Sequence, residues 1–405
     1  MQNKNVLFRR AGVLCAGVVA MLFAGIIYAW SILKVPFAEE VGLAAPSLAL
    51  NFTLTMCFFC IGGVVSSFFV KRIGTAMTLV LSGVLAGAGI ALAGAFAASA
   101  AALYVFYAFM AGLGIGIAYI VIISTVNAWF PDRRGLSSGA LMMGFGASSL
   151  LLGNLADRLF ATELGWRGTY IAVGIFLGAV ILLASLLIRR PPEGVDLPAP
   201  AVRRGSRTED FEPRDFTPGE MLRRFSFWRA FLYLVCITAV GNSVISFCRD
   251  LAVSVGAGAA LASVLVGVLA VCNGLGRILT GALFDAAGRR ITMLCANLLT
   301  MAAAGLTLVA VVCGSLPLCI AGLCLTGLSY GTSPTVSSAF TSAFYGQKHF
   351  AANLGFMNIN LMCASFVATA CSALIETTGG YTVPFVLLLG LSAVALVLNL
   401  SIKRP

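Results

Sequence analysis

The sequence predicts an all-α integral membrane protein whose twelve transmembrane helices form two six-helix halves. Hydrophobic residues make up 60% of the 405-residue chain and charged residues only 10%, and the mean hydropathy is +1.00. A soluble protein of this size needs far more charge to cover its surface. Twelve apolar stretches are each long enough to cross a bilayer, which takes about 20 helical residues. One motif occurs twice, once in each half of the chain.

The twelve predicted spans follow one another with short gaps. They cover residues 11–33, 47–70, 75–97, 101–128, 136–157, 168–188, 226–248, 259–284, 291–313, 316–342, 350–375 and 382–402. The first is too long for a cleaved signal peptide, so we expect it to be retained. Because lipid offers the backbone no hydrogen-bond partners, continuous apolar runs of this length predict helices.

The repeat that divides the chain lies at the ends of spans 4 and 10. The segment NAWFPDRRGLSSG at 127–139 is echoed by SAFYGQKHFAANLG at 342–355. Each copy ends an apolar helix with an aromatic pair, continues through a basic turn and begins a helix of small residues. Upstream, the matched positions are Gly112 and Gly116 in the first half, and Gly327 and Gly331 in the second. Two homologous halves in a membrane protein are typical of a transporter.

The distribution of charge predicts the topology. The net charge is +11, and most of the 26 basic residues lie in loops on the same side as both termini. By the positive-inside rule that side is cytoplasmic, in what we expect to be a bacterial inner membrane. Topology and lipid headgroups are the favoured explanation of the basic residues, phosphate binding by the arginines is the alternative, and nucleic acid is not an expected partner. We predict bundles at 1–188 and 226–405, joined by a proline-rich, charged cytoplasmic linker at 189–225.

Neither a metal site nor a cofactor site is expected. The twelve cysteines are scattered singly, apart from a CxxC at Cys57 and Cys60 inside span 2. The single histidine, His349, lies in a basic turn, so the usual His and Cys ligand clusters do not form. An enzyme is disfavoured as well, because the chain has neither an HExxH nor a GxSxG motif.

The turn between spans 8 and 9 carries the first family resemblance. GALFDAAGRR at 281–290 resembles the G-x-x-x-D-x-x-G-R-R signature of the major facilitator superfamily, which implies the major facilitator fold. In that family the acid faces a helix N-terminus and latches the cytoplasmic gate. The equivalent turn between spans 2 and 3 keeps Gly74 but has Lys71 in place of the acid, so the first latch is expected to be weakened. The gating residues we predict are Asp285, Gly288, Arg289, Arg290, Arg133 and Arg134.

Further motifs resemble one branch of that superfamily, the oxalate/formate antiporter family, which is related to the monocarboxylate transporters. The motifs are GIIYAWSILKVPF in span 1, GLGIGIAYIVIISTVNAWFPDRRGLSSG in spans 4–5, GWRGTYIAVG in span 6, EMLRRFSFW before span 7 and YGQKHFAANLGF between spans 10 and 11. The resemblance covers essentially the whole chain and implies transport of a small organic anion.

Arg277 is the strongest candidate for a substrate ligand. It lies eight residues before Asp285, about 12 Å along a helix, and so near the midplane of a core about 30 Å thick. A central arginine costs about 2.5–3.5 kcal/mol even on the lenient insertion scale, and its planar fork matches a carboxylate. A purely structural arginine, bonded to helix-end carbonyls or an asparagine, is the alternative. The family resemblance also implies that a helix 8 arginine here binds the carboxylate.

Three neighbouring positions bear on which anion is carried. Asn273 shares the helical face of Arg277, and in proton-coupled monocarboxylate relatives this position holds an aspartate that takes up the proton. Leu361 stands where the oxalate exchangers carry a second cation, a lysine. Asn358, on the same helical side, is expected to hydrogen-bond a polar group. One deep cation favours a monocarboxylate, since a dianion would leave one carboxylate unpaired.

Aromatic residues are predicted to wall the cavity. Tyr28 and Trp30 in span 1, Tyr119 in span 4 and Tyr330 in span 10 lie away from the interfaces where belt tyrosines sit. The resemblance implies that aromatics of helices 1, 4 and 10 surround the substrate, although ordinary helix packing is the alternative for each, most of all for Trp30. Aromatic walls around one cation suit a small organic anion.

The sequence thus predicts a secondary active transporter of a small organic anion, working by alternating access as an exchanger or uniporter. We expect a monomer whose partners are its substrate and membrane lipid. The alternatives are a proton-coupled monocarboxylate symporter, a polyspecific efflux transporter and a transporter-like sensor. Asn273 argues against the first and Arg277 against the second. The third usually needs an appended signalling domain, and the 189–225 loop is too short to fold as one.

Overall fold

The computed structural model describes residues 2–192, 195, 197 and 215–402, and these residues form helices joined by short turns. Most of the predicted linker, together with residues 403–405, lies outside this part. Ten helical stretches are long and apolar enough to cross a membrane. The two longest, Leu50–Phe96 and Val264–Cys313, have 47 and 50 residues. Each is long enough to cross twice, at about 20 residues a crossing, which gives twelve crossings in the described residues.

The first half contains helices α1 to α6. Helix α1 comprises Gln2–Ala24, a 3-10 segment at Gly25–Ala29 and Trp30–Leu33, and is followed by a short helix at Val35–Glu39. Helices α2 and α3 are 45–73 and 75–96 of the continuous element Ala45–Phe96. Helix α4 comprises Ala100–Leu103, a π-helical segment at Tyr104–Gly112 and Leu113–Trp129. Helix α5 comprises Arg134–Ser148, a π-helical segment at Ser149–Gly153 and Asn154–Phe160, and α6 is Gly165–Leu187.

The second half repeats this order. After a short helix at Pro218–Leu222, α7 is Phe225–Ser254. Helices α8 and α9 are 259–287 and 289–313 of the continuous element Ala259–Cys313. Helix α10 is Leu316–Tyr345, α11 comprises Phe350–Met357 and Ile359–Thr378, and α12 is Thr382–Ser401.

Two glycines turn the chain without a loop. Gly74 has φ 79° and ψ 168°, and Gly288 has φ 77° and ψ −179°. A side chain rarely tolerates positive φ, so glycine is the residue that fits. The sequence predicted separate spans at 47–70 and 75–97 with a gap between them. In the structure, helix runs directly up to Gly74 from both sides, and the same is true of Gly288. The matched dihedral angles show that the two turns are copies of one feature.

The repeat also governs helix packing inside each half. A Cβ atom on Gly116 of α4 would overlap the carbonyl of Phe59 on α2, and one on Gly331 of α10 would overlap the carbonyl of Asn273 on α8. Small residues let helix backbones approach closely in lipid. The predicted repeat is therefore present in three dimensions as two equivalent helix pairs.

One end of the molecule collects the termini and the basic turns, and we call it the basic end. Arg10 of α1 pairs with Asp132 in the turn before α5. Arg289 donates from Nη2 to the carbonyl of Ile402 beyond α12, at 3.4 Å. Trp129 Nε1 donates to the carbonyl of Arg189 at 2.7 Å. Both termini and the start of the linker therefore lie at the same end.

The end of the predicted linker is fastened to the second half. Asp215 Oδ1 accepts from the backbone N–H groups of Gln347 at 2.8 Å and Lys348 at 3.0 Å. Phe216 N donates to the carbonyl of Tyr345 at 3.0 Å. Thr217 then caps the short helix, together with Glu220, in a capping box. Residues 215–222 are therefore folded against the second half, where composition alone suggested a plain linker.

Candidate functional site

Arg277 lies in the interior of α8 with 1% of its surface exposed. Its Nε donates to Asn273 Oδ1, one helical turn earlier, at 3.1 Å. Its Nη1 donates to the backbone carbonyl of Met142 in α5. A guanidinium has five N–H donors in a fixed fork, so these two bonds use fewer than half of them. Within the described residues no carboxylate pairs with Arg277, and a buried charge without a counterion calls for an anionic partner.

Helix α5 of the opposite half forms the surface against which Arg277 lies. A Cβ atom on Gly146 would lie 3.1 Å from Cζ of Arg277 and 3.3 Å from its Nη2. A Cβ atom on Gly139 would lie 2.7 Å from its carbonyl oxygen. The sequence GALMMGFG thus clears room for the guanidinium and for the α8 backbone. The charge sits at the boundary between the two halves, where a rocking motion would alter its surroundings.

An aromatic cluster stands beside this position and is centred on Phe145, the neighbour of Gly146. Tyr28 and Tyr119 meet Phe145 edge to face, with ring centroids 5.3 and 5.1 Å away. Phe59 joins Tyr119 at 5.2 Å. Edge-to-face pairs of this kind add about 0.5–1.5 kcal/mol beyond area burial. The structure therefore brings together two of the predicted cage residues, through a phenylalanine that the prediction omitted.

Tyr330 connects the cluster to the second half. Its hydroxyl donates to Asn242 Oδ1 of α7 at 2.8 Å and lies 3.4 Å from the hydroxyl of Tyr28. The predicted tyrosines of α1, α4 and α10 thus surround one region, beside Gly146, the residue against which the Arg277 guanidinium lies.

Helix α10 carries a polar run, TSPTVSS, along this region. Thr335 Oγ1 lies 3.4 Å from the carbonyl of Arg277, and Ser338 Oγ lies 3.0 Å from Ser138 Oγ of α5. Ser337 Oγ donates to Asn358 Oδ1 of α11 at 2.9 Å. Asn358 is 4% exposed, and its Nδ2 has no hydrogen-bond partner among the described residues. A buried amide donor without a protein partner is suited to bind a ligand or a water molecule.

Leu361 and Trp30 lie in apolar surroundings. Leu361, 6% exposed, belongs to the core cluster that also contains Tyr119 and Phe145. Trp30 packs against Tyr107 with ring centroids 4.8 Å apart and the ring planes inclined by 45°, and its Nε1 donates to the carbonyl of Leu48 at 3.1 Å. These contacts tie Trp30 into the first bundle, as ordinary helix packing would.

The predicted latch residue Asp285 lies against the N-terminus of α5. Its Oδ1 accepts from the N–H of Gly135 at 3.0 Å, and its Oδ2 accepts from the N–H of Leu136 at 2.9 Å. The first N–H groups of a helix have no intrahelical acceptor, and the helix dipole favours an anion there. A carboxylate from the second half thereby holds the first helix turn of a first-half helix.

The other predicted gating residues lie around this latch at the basic end. Gly288 makes the turn after Asp285. Arg289 lies over the ring of Phe344, with Cζ 5.3 Å from the centroid, and Arg290 is exposed. Arg133 is exposed, with Nε 4.0 Å from Asp132 Oδ2. Arg134 begins α5, and its side chain lies outside the described residues.

Sequence reasoning missed three contributors to this region: Asn242, Phe145 and the Met142 carbonyl. A polar residue inside an apolar span is a recognisable signal, so Asn242 in span 7 was open to detection. Phe145 lies in a run of small and apolar residues that resembles any packed helix. A backbone carbonyl leaves no trace in a sequence, so the Met142 contact had no signal.

The comparisons with known proteins agree with this architecture. The Major Facilitator Superfamily profile matches residues 13–248 and 248–405, which together include nearly all of the chain. The chain belongs to the Major Facilitator Superfamily. The family resemblance inferred from the turn between spans 8 and 9 is confirmed, as is the fold of twelve transmembrane helices.

Individual relatives narrow the position within the superfamily. The oxalate:formate antiporter of Oxalobacter formigenes is 26% identical over 391 residues, which are 95% of this chain and 90% of that protein. Monocarboxylate transporter 14 of Mus musculus is 28% identical over 184 residues, covering 45% of this chain and 36% of its own length. These relatives agree with the branch that the motifs indicated.

Among solved structures, the proton:xylose symporter XylE, bound to 6-bromo-6-deoxy-D-glucose, matches with a TM-score of 0.74. The identity is 12%, and the match covers 100% of this chain and 97% of that one. At this identity the likeness shows the Major Facilitator fold alone.

Proposed function

We propose that this superfamily member carries a small organic anion, a monocarboxylate by preference, and works as an anion exchanger or uniporter. The observation that carries the proposal is Arg277. It is buried and lacks a carboxylate partner among the described residues. Most of its N–H donors remain available for a substrate carboxylate, which pairs bidentately with such a fork.

The tyrosines of α1, α4 and α10 supply the remaining walls. Tyr28, Tyr119 and Tyr330 present rings to an apolar substrate body and hydroxyl groups to its polar end, a combination common in small-molecule sites. The unpartnered Nδ2 of Asn358 offers one more donor. Leu361 contributes apolar surface in place of a second cation, which favours one negative charge over two.

The choice of exchange over proton symport rests on Asn273. Its amide accepts from Arg277 Nε, and an amide does not titrate in the physiological range. No Asp or Glu is buried among the described residues. A proton carrier beside the substrate is therefore missing from the region that the geometry favours.

Alternating access fits the contacts between the halves. At the basic end they meet through Asp285 and the first turn of α5. Deeper in the molecule they meet through Gly355 of α11, whose Cβ would lie 2.8 Å from the carbonyl of Gly63 on α2. These contacts support a state closed at the basic end. The positive-inside rule makes that end cytoplasmic, with substrate entering from the opposite side in this state.

Uptake by purified protein in liposomes tests the proposal. Labelled acetate and oxalate would be offered with and without unlabelled acetate inside, each with and without an inward proton gradient. We expect acetate uptake that responds strongly to internal acetate and weakly to the proton gradient, with oxalate as the poorer substrate. Proton-driven uptake into anion-free vesicles would instead identify a symporter, and preference for cationic or neutral compounds would refute the anion assignment.

A further inference from the structure

A cavity lies at the basic end, apart from the Arg277 region. Its volume is about 440 Å³, within the range of small-ligand sites. It opens between the end of α2, the end of α4, the segment after α6 and the turn before α11. The lining includes Lys71, Arg190, Lys348, His349, Ala351 and Ala352.

The charge of this cavity is one-sided. Lys71, Arg190 and Lys348 belong to three separate segments and converge on one space, whose lining contains no Asp or Glu. Within the described part of the chain none of the three forms an ion pair. The carboxylate of Asp215 lies close by, but its Oδ1 already accepts the N–H groups of Gln347 and Lys348. All three side chains are exposed, and together they give the cavity a positive potential that favours an anion.

The internal repeat indicates what the cavity lacks. Gly74 and Gly288 are equivalent, so Lys71 stands in the first half where Asp285 stands in the second. Asp285 caps the first turn of α5 through two backbone N–H groups. By the same repeat, the first turn of α11 is the counterpart of that turn, and Ala351 and Ala352 of α11 line the cavity. Their N–H groups lie among the first of the helix, which lack intrahelical acceptors. The first latch, at the turn between α2 and α3, thus has a helix N-terminus but a lysine in place of the carboxylate.

We propose that an anion bearing a phosphate group binds in this cavity and replaces the missing carboxylate. It would bridge Lys71 of the first half to Lys348 and the α11 N-terminus of the second, and so hold the basic end closed. Phosphate suits the site better than a monocarboxylate, since it carries more charge and more acceptor oxygens for several cations and a helix N-terminus. The source is a free phosphomonoester or the headgroup of an anionic phospholipid.

Binding to the full-length protein tests the site. Glycerol phosphate would be titrated into protein in nanodiscs of zwitterionic lipid, and phosphatidylglycerol would be added to the nanodiscs in a separate series. We expect binding that is at least tenfold weaker in Lys71→Asp, because this change removes a cation and supplies the carboxylate. Lys348→Gln gives a second, milder loss that does not depend on Lys71→Asp folding well. Arg158→Gln, which removes an exposed arginine near the end of α5, is the matched control and should bind like the wild type.

A conformational readout separates a gating ligand from a passive one. Spin labels at the exposed positions Arg72 and Arg290 report the opening of the basic end. Glycerol phosphate or phosphatidylglycerol should shift the wild type toward the short distance, and Lys71→Asp should show that distance without either. A response to glycerol phosphate identifies a free ligand, and a response to phosphatidylglycerol alone identifies the lipid. Equal binding in wild type and Lys71→Asp, or no response to either compound, overturns the proposal.

The Arg277→Gln variant tests whether the phosphate site is distinct from the transport site. Since Arg277 lies far along α8 from the basic end, this variant should bind glycerol phosphate as tightly as the wild type even if transport is lost. Loss of phosphate binding in Arg277→Gln would show that the phosphate occupied the transport site, and would also overturn the proposal.

Discussion

Helix α8 approaches α5 much as α2 approaches α11, yet the two contacts carry different chemistry. A Cβ atom on Gly139 of α5 would lie 2.7 Å from the carbonyl of Arg277, and one on Gly355 of α11 would lie 2.8 Å from the carbonyl of Gly63. Counted from Gly74 and Gly288, Gly63 is the counterpart of Arg277. One contact therefore holds a long cation and the other holds no side chain.

The side-chain charge also differs between the ends of these two helices. Near the end of α8 the acid Asp285 caps α5, whereas near the end of α2 the base Lys71 lines the cavity at the start of α11. Duplication preserved the backbone frame, including the left-handed glycines and the close helix contacts. The charges on that frame differ between the halves. We infer that the shared backbone geometry allows the two halves to move against each other, while the differing charges bind the ligands.

The largest expected effect comes from removing the cation at the α8 contact. Arg277→Gln should reduce anion uptake at least about 30-fold, equivalent to about 2 kcal/mol, because a desolvated carboxylate would lose its partner. Arg277→Lys should restore little, since an ammonium cannot make the bidentate contact. Uptake into liposomes at equal protein content measures this. Near-normal uptake in the Gln variant would reduce Arg277 to a structural residue bonded to Met142 and Asn273.

A second cation would test the charge count. Leu361→Lys should shift the ratio of oxalate to acetate affinity about tenfold toward oxalate, about 1.4 kcal/mol, since the added charge can pair with the second carboxylate. Competition of both anions against labelled acetate gives the ratio. Leu361→Met, which keeps an apolar side chain of similar volume, is the control. A wild type that already prefers oxalate would show that another cation reaches the site.

The two close helix contacts should respond alike. Gly139→Ala and Gly355→Ala each place a methyl group against a carbonyl oxygen, and overpacking of this kind costs about 1–3 kcal/mol. The state closed at the basic end should therefore become several-fold less populated in both variants. Distances between spin labels at 72 and 290 report it. Gly390→Ala, whose Cβ meets nothing within 4 Å, should leave the distribution unchanged. A strong effect from one variant alone would contradict the equivalence of the two contacts.

The smallest effect is expected at the acidic latch. Asp285→Asn keeps the shape but loses the charge that complements the α5 dipole, a contribution of about 0.3–1 kcal/mol. The closed population should fall about twofold to fivefold in the same distance measurement. Asp157→Asn, at an exposed position of α5, is the control. Asparagine also replaces one of the two accepting oxygens with an NH2 group, so a closed population that is unchanged in Asp285→Asn would contradict the assignment of Asp285 as a latch.

Much of this architecture could be predicted from the sequence because lipid imposes strict rules. Apolar runs of about 20 residues must be helices, and the repeat that includes Gly112 and Gly116 predicted two homologous halves. Arg277 stood out because charge is rare in such runs, and Asp285 because it belongs to a family signature. Tyr28 and Tyr119 both contact Phe145, although periodicity alone did not require it.

Other features depended on contacts between distant segments. The π-helical stretches at Tyr104–Gly112 and Ser149–Gly153 have no signature that separates them from ordinary helix. The hydrogen bond from the Tyr330 hydroxyl to Asn242 Oδ1 joins residues of different spans, and the hydrogen bond from Arg277 to Met142 involves a backbone carbonyl. Such contacts depend on how helices rotate against one another, which hydropathy does not determine.

The hydrogen bonds at the two ends of the linker, which we call the two fastenings, have a consequence for how the chain can be divided. Trp129 donates to the carbonyl of Arg189 where the chain leaves the first bundle, and Phe216 donates to the carbonyl of Tyr345 where it enters the second. The stretch between Pro192 and Asp215 has a contour length of about 75 Å, and both fastenings lie outside it. We therefore expect that the two halves assemble without a covalent connection in this stretch. A gene severed within 198–212 should yield two polypeptides that associate in the membrane and restore transport.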